Sequence, residues 1–248
     1  MIAFHAITKS FQNKVILSQV SSVFESGKIS LVIGSSGTGK SLLLKCLLGL
    51  VIPDHGNVLF DGRDLLHGNK LVRTEIRKEL GMLFQGGALF DSKNIEENIR
   101  FPLDVLTTMG ATEKRKRVNE CLEQVGLPEV HKKMPNELSG GMKKRAAIAR
   151  AIVTRPKYLF CDEPNSGLDP QTALKIDELI AKITYDSQTT TVIVTHDMNT
   201  ILSLGDFILF LQQGQKAWEG SSQTILKTDE RALQDFLFVG KFKELLTR

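Results

Sequence analysis

The sequence predicts an α/β protein built on a mostly parallel sheet, with a β-rich opening segment and an inserted helical subdomain. Three observations predict it. Short apolar strands alternate with segments of helical periodicity from the Gly34 region to Leu211, as in sheets whose strands are joined by helices. The first thirty or so residues are dominated by β-branched and apolar runs. From about Ile95 to Ile152 the pattern is mostly helical and interrupts the alternation, which places the inserted subdomain at about residues 90–155.

Taken in order, Ile2 to Thr8, Val15 to Phe24 and Lys28 to Ile33 read as strands separated by Asn-Lys and Ser-Gly breaks. The third feeds a Gly-rich loop. Leu42, Leu43, Leu44, Leu47 and Leu48 then supply a buried helix that Gly49 and Pro53 end. Asn57 to Phe60 followed by Asp61-Gly62 reads as strand and turn, and Leu80 to Phe84 as a short strand ending at Gln85. Thr112-Glu113-Lys114-Arg115 starts a helix with Val118, Cys121, Leu122 and Val125 on one face; Gly126 and Pro128 stop it. Strands return at Tyr158 to Cys161, Thr190 to Val194 and Phe207 to Leu211. The main domain is expected over 1–228. Residues 229–248 read as an amphipathic helical tail carrying Leu233, Phe236, Leu237, Phe242, Leu245 and Leu246, which packs on its own domain or on a second subunit.

The chain is 42% apolar and 24% charged over 248 residues, enough to bury a good core without a Pro- or Ser-rich linker. Its net charge is +4, and Lys114-Arg115-Lys116-Arg117 is either a solvated helix face or a surface facing anionic lipid headgroups. Only 6% of residues are aromatic and no reader motif occurs, so no nucleic-acid partner is expected. Cys46, Cys121 and Cys161 have neither metal nor redox spacing and read as reduced core residues. No signal peptide or bilayer-length apolar run is found, so a cytoplasmic location is expected, with any membrane contact made through a partner.

The chemistry begins at Gly34-Ser35-Ser36-Gly37-Thr38-Gly39-Lys40-Ser41, which matches G-x-x-x-x-G-K-[ST] between an apolar strand and a helix. Glycines let the backbone wrap closely, so successive N–H groups point at phosphate oxygens, and the helix adds its positive end. Lys40 would contact the β- and γ-phosphates and Ser41 would ligate Mg²⁺. Tyr158-Leu159-Phe160-Cys161-Asp162-Glu163 supplies an acidic strand end. Asp162 would hold Mg²⁺, and Glu163 could take a proton from, or polarise, an attacking water. Phe11, before a turn at Gln12-Asn13, could stack on an adenine ring or serve as a core aromatic.

Leu138-Ser139-Gly140-Gly141-Met142 resembles the signature of the ATP-binding cassette (ABC) ATPases, although Met142 stands where most members have Gln. The loop at Gly34, Gln85, this signature, Asp162-Glu163 and His196 stand in the family's order, and Ser166-Gly167-Leu168-Asp169 resembles its D-loop. The resemblance covers nearly the whole chain. It implies a P-loop NTPase (RecA-like) core with an N-terminal antiparallel β-subdomain, and ATP and Mg²⁺ as cofactors. His196 would sit against the γ-phosphate and Gln85 would complete the Mg²⁺ and water shell. Ser139, Gly140 and Gly141 precede a helical run from Met142 to Val153, so their N–H groups and the helix dipole can grip a γ-phosphate. In the family that phosphate is bound by the loop of the opposite subunit, which implies a homodimer in the ATP-bound state.

Within the family, the chain is similar to ATPases of lipid-transport systems that work with Mce-domain proteins, such as the Mla (maintenance of lipid asymmetry) pathway. Leu83 to Phe90, Met134 to Met142 and Lys144 to Ala151 carry that resemblance. It implies an integral-membrane permease as partner, an Mce-domain protein, a small cytoplasmic regulatory subunit, and a peripheral place on the cytoplasmic side of the inner membrane. Ala88, Leu89 and Phe90 are either the permease-docking surface or a core-packed loop. The cargo expected is phospholipid; the alternative is an importer of amino acids, metal ions or another solute. A chromosome- or ribosome-acting ABC protein fits poorly, because residues 42–137 hold no coiled-coil heptads and the chain has one cassette. Asn165 departs from the family's frequent Thr with no reading from sequence.

Overall fold

Residues 1–238 are described by the structure, a computed structural model. A six-stranded sheet runs in the order β10-β9-β3-β8-β7-β6. Its members are β3 (Ile29–Ile33), β6 (Leu80–Leu83), β7 (Tyr158–Asp162), β8 (Thr190–Val194), β9 (Phe207–Gln212) and β10 (Gln215–Gly220). The strands from β9 to β6 pair in parallel, and β10 is antiparallel to β9. Sequence periodicity gives no sign of β10, because this mostly polar Gln-Lys-Ala-Trp-Glu-Gly segment is an edge strand with little apolar demand.

Both faces of the parallel sheet are buried, which is why its strands read as continuous apolar runs. Ile29, Leu31, Ile33, Leu159, Cys161, Ile193, Ile208 and Phe210 point into one core; Val32, Tyr158, Phe160, Val192, Val194, Leu209 and Leu211 point into the other. The second core is closed by α1 (Lys40–Leu47) and by a four-stranded antiparallel sheet in the order β2-β1-β4-β5. That sheet is built from β1 (Ile2–Phe11), β2 (Lys14–Phe24), β4 (His55–Phe60) and β5 (Arg63–Asp64). The β1–β2 turn holds Gln12 and Asn13 at φ 47° and 64°, the left-handed pair that a tight hairpin needs.

The first core is closed by helices. After α2 (Lys70–Lys78), the helices α3 (Ile95–Leu106), α4 (Ala111–Gln124) and α5 (Gly140–Ile152) lie between β6 and β7. A capping box at Asn94 and Glu97 starts α3. Val118, Cys121, Leu122 and Val125 all bury into the core shared with the sheet. Of the basic run on α4, Lys114 pairs with Asp104, Arg115 with Glu96, and Arg117 caps the Ile152 and Val153 carbonyls while pairing with Glu120. Lys114 and Arg117 are thus engaged within the chain, whereas Arg115 and Lys116 stay exposed on the helix surface.

α6 (Pro170–Ser187) and α7 (Met198–Leu204) follow β7 and β8, and α8 (Arg231–Phe238) ends the described chain. Leu233 and Leu237 are buried and the Phe236 ring lies 5.5 Å from that of Phe210, so this part of the tail packs on its own chain. Phe242, Leu245 and Leu246 lie outside the described residues. The three cysteines are buried and free, and burial pushes the Cys161 thiol up to about 12. Among the described residues no helix is long and apolar enough to cross a membrane.

Candidate active site

Four neighbouring parallel strands end at the same edge of the sheet, where open α/β sheets place their ligands. β3 ends in the Gly34 loop, β8 in Thr195-His196, β7 in Asp162-Glu163 and β6 in Phe84-Gln85. Their ends are level: Val32 and Asp162 both pair with Val194, and Leu83 pairs with Cys161. Sheet order therefore gathers residues from four distant parts of the chain.

The Gly34 loop depends on its glycines. Gly34 has φ 147°, and a Cβ there would lie 2.4 Å from the Leu211 carbonyl oxygen. The loop leads into α1, whose first-turn amides have no intrahelical acceptor. A cavity of about 240 Å³ is lined by Ser36, Gly37, Gly39, Lys40, Ser41 and Glu163. Lys40 is 6% exposed, and its Nζ donates to the Ser35 carbonyl at 2.8 Å; the Thr38 hydroxyl donates to the same oxygen at 2.9 Å. Burial pushes the Lys40 ammonium pKa down, opposed by the charges of Glu163 and Asp162. Ser41 Oγ donates to Asp162 Oδ1 at 3.1 Å, and burial pushes the Asp162 carboxyl pKa up.

Glu163 sits just past β7 at φ 45°, a left-handed conformation that is uncommon outside glycine and is often found at functional sites. Its amide donates to the Val194 carbonyl, which holds the strained residue on the sheet edge. Gln85 Nε2 donates to Glu163 Oε2 at 2.6 Å, and His196 Nδ1 lies 3.2 Å from Glu163 Oε1. The structure thus brings Lys40, Ser41, Gln85, Asp162, Glu163 and His196 together.

Ser139, Gly140, Gly141, Met142 and Asp169 line a different cavity, of about 390 Å³, together with Arg145 and Gly167. Here the helix boundary differs from the sequence reading: α5 begins at Gly140, so both glycines belong to its first turn and Ser139 alone precedes it as the cap. Small glycines at these positions let α5 and α6 approach closely. A Cβ on Gly141 would lie 2.7 Å from Thr172 Cγ2. Ser139 Oγ accepts from the Met142 amide at 3.3 Å, and Asp169 Oδ1 accepts from the Thr172 amide at 3.0 Å as the cap of α6. The hydrogen bonds from Thr172 hold the Asp169 carboxyl below its usual range. Leu138 is buried in the core below this cavity and does not line it. Phe11 lies apart from both cavities. It is 50% exposed, which removes the core reading, and Lys9 Nζ stands 5.4 Å from its ring centre.

Sequence reasoning missed two buried polar clusters. Lys144 donates to the Gln85 carbonyl at 2.5 Å, and Arg150 donates to the Gly87 and Ala88 carbonyls at 2.6 and 2.7 Å. The available signal is two cations, Lys144 and Arg150, at helical spacing with the apolar residues of the buried face. The second cluster gives Asn165 a place: its Nδ2 donates to Asp177 Oδ1 at 2.7 Å and Thr200 Oγ1 at 3.0 Å, and Thr200 donates to Asp177 Oδ2 at 2.7 Å. Nothing in the local sequence links those three positions. The loop at Ala88 to Phe90 divides: Leu89 packs on the core, while Ala88 and Phe90 are exposed. A largely apolar groove of about 390 Å³ runs between them and Phe84, Phe101, Pro102 and Leu106.

Residues 17–166 match the family described as ABC transporter. The chain is 40% identical over 236 residues to the probable ribonucleotide transport ATP-binding protein mkl of Mycobacterium leprae, covering 95% of this chain and 68% of the relative. It is 37% identical over 225 residues to the intermembrane phospholipid transport system ATP-binding protein MlaF of Escherichia coli, covering 91% and 84%. It is also 37% identical over 242 residues to the methionine import ATP-binding protein MetN 1 of Oceanobacillus iheyensis, covering 96% and 71%. Among solved structures, a dimeric post-hydrolysis ATP-binding cassette bound to ADP and Pi superposes with a TM-score of 0.81 at 31% identity, covering 90% of this chain and 99% of that one.

Proposed function

The chain belongs to the ABC transporter family, and from that premise we propose that it energises phospholipid transport through an integral-membrane permease of the Mla/Mce type. As an ABC ATPase it binds and hydrolyses ATP. The observation that carries the assignment of its chemistry is the Glu163 carboxylate, held by Gln85 and His196 at the mouth of the Gly34 loop.

In this reading the loop amides and the first turn of α1 bind the phosphates. Lys40 Nζ exchanges the Ser35 carbonyl for phosphate oxygens. Ser41 Oγ and Asp162 would hold Mg²⁺. The donors fit in kind: a hydroxyl and a carboxylate are hydrogen-bonded neighbours at the end of the phosphate loop. Mg²⁺ suits such a sparse site, since it keeps waters and shares its shell with phosphates. When bound, it neutralises charge on the β- and γ-phosphate oxygens. Glu163 accepts the proton of the attacking water, while Gln85 and His196 orient that water and the phosphate.

The Ser139–Gly141 end of α5 carries free amide donors and faces a cavity apart from the loop, so we assign its phosphate to a second copy of the chain. A two-fold pair then forms two equivalent composite sites. The dimeric relative bound to ADP and Pi supports this arrangement. The groove at Phe84, Ala88, Phe90 and Phe101 is an apolar seat for a permease segment, beside the loop that carries Gln85.

Phospholipid as cargo rests on MlaF. The methionine-import relative is equally identical, so identity does not separate the two cargoes. Two experiments test the reading. Glu163→Gln should retain ATP and accumulate as a dimer in size-exclusion chromatography with turnover lost; unchanged turnover removes Glu163 from its role. Affinity purification from membranes should recover a permease with an Mce-domain protein; recovery of a solute-binding protein instead would replace lipid by a solute.

A further inference from the structure

Lys144 lies in the second turn of α5 and is 5% exposed. A buried ammonium is costly unless it is paired and hydrogen-bonded. Lys144 forms no ion pair among the described residues; its one hydrogen-bond acceptor there is the Gln85 carbonyl, at 2.5 Å. Leucine or methionine would fill the same volume without burying a charge. Burial pushes the ammonium pKa down, while Cys161, Glu163 and Asp162, at the end of β7, oppose that shift.

The position of this bond is informative. Gln85 is the residue whose side chain donates to Glu163 Oε2. Lys144 therefore holds the backbone of the group that holds the carboxylate. The same helix carries Ser139, Gly140 and Gly141 at its start, about 7 Å from Lys144 along the axis at 1.5 Å per residue. Arg150, farther along α5, fixes Gly87 and Ala88 instead, which sets the stem of the loop rather than Gln85. A continuous chain of contacts thus runs from the Ser139 cap through α5, Lys144 and Gln85 to Glu163.

We propose that Lys144 is a positioning residue for hydrolysis: its bond to the Gln85 carbonyl ties the Ser139–Gly141 end of α5 to the Glu163 carboxylate, so both half-sites of one protomer move together. The proposal rests on the roles given above to Glu163 and to the Ser139 end. A contiguous contact path is not evidence of coupling by itself, so the test measures coupling.

The experiment is a double-mutant cycle on the full chain, reading kcat, KM for ATP and ATP binding. Lys144→Met is expected to lower kcat by roughly tenfold to a hundredfold, the scale of a small misplacement of catalytic groups. ATP affinity should stay within about twofold, because the Gly34 loop is untouched. Lys144→Arg, which keeps a cationic donor, should restore most of the rate. In a Gln85→Ala background, Lys144→Met should cost less than about twofold more, since both changes remove one tie. A merely structural lysine predicts independent losses that multiply, and that result overturns the proposal, as does an unchanged kcat. Should Lys144→Met fail to fold, Lys144→Leu runs the same cycle with another neutral side chain that cannot donate. Glu163→Gln serves as reference: if it keeps turnover the underlying reading fails, whereas a dead Glu163→Gln with multiplying Lys144 and Gln85 losses defeats this proposal alone.

Discussion

The cavity at the Gly34 loop and the cavity at Ser139 differ in how their polar groups are used. In the first, the side chains are already engaged: Lys40 holds the Ser35 carbonyl, Ser41 holds Asp162, and Gln85 and His196 hold Glu163. It contains a cation, two carboxylates and hydrogen-bond donors, which is a complete set for phosphoryl chemistry. In the second, Ser139 and Asp169 only cap their own helices, and the first-turn amides of α5 have no intrahelical acceptor. That end offers donors and a helix dipole, and its one carboxylate, Asp169, is engaged in capping α6. In the proposed reading one cavity is a reaction centre lacking its second wall, and the other is a wall lacking a reaction centre. This difference is why a second copy of the chain is required in the proposed mechanism.

The comparison breaks most sharply by complementation. Lys40→Ala and Ser139→Arg should each abolish turnover as pure proteins, with losses on the order of a hundredfold or more, the scale for removing preorganised phosphate stabilisation. Ser139→Arg should still bind ATP at its Gly34 loop; Lys40→Ala should not. Mixed together, the two variants form some heterodimers with one composite site free of both substitutions. ATPase activity should then reappear on mixing, at a fraction of the unmodified rate. No recovery over a range of mixing ratios means that each chain completes its own site.

A smaller effect concerns the seam between the cavities. Glu163 opens the segment and Asp169 closes it, and Asn165 anchors its middle to Asp177 and Thr200. Burial pushes the Asp177 carboxyl pKa up, so this carboxylate depends on its two donors. Asn165→Val leaves Asp177 short of one donor in a buried place and should cost about 1–3 kcal/mol of stability. Asn165→Thr keeps a hydroxyl and should cost less. Urea denaturation of both variants decides the matter; equal stability for valine and asparagine would mean the network carries no energy.

The candidate reaction centre was legible in the sequence because each of its parts lies at the end of an apolar strand, a position that local pattern reveals. Gly34 to Ser41, Asp162-Glu163 and His196 all follow such runs. Parallel pairing, which no local pattern encodes, then set them side by side. The apolar strands, α1 and the one-faced α4 were readable for the same reason. Lys144, Arg150 and the Asn165–Asp177–Thr200 cluster were not. Their partners are backbone carbonyls or side chains 12 to 63 residues away, and a hydrogen bond leaves no period in a sequence. The start of α5 was misplaced because glycine disfavours helix interiors. Here close packing against Thr172 and the Ser139 cap override that preference.

The smallest expected effect tests whether the reaction centre extends to the antiparallel sheet. Phe11 ends β1 just before the hairpin turn, half exposed, with one face toward Lys9. An exposed aromatic at this place has a free face on which an adenine ring can stack. Aromatic–base stacking is worth about 1–3 kcal/mol by alanine substitution. A half-exposed ring belongs at the low end, so Phe11→Ala should raise KM for ATP about fivefold with kcat unchanged, the mark of lost uniform binding. Phe11→Tyr keeps the ring and should bind as the unmodified chain does. GTP supplies the control: a purine that stacks equally well should suffer the same loss, because a ring face reads no base edge. If KM for both nucleotides is unmoved in Phe11→Ala, the nucleotide is held by its phosphates alone, and the antiparallel sheet contributes to the site only through the packing that supports α1.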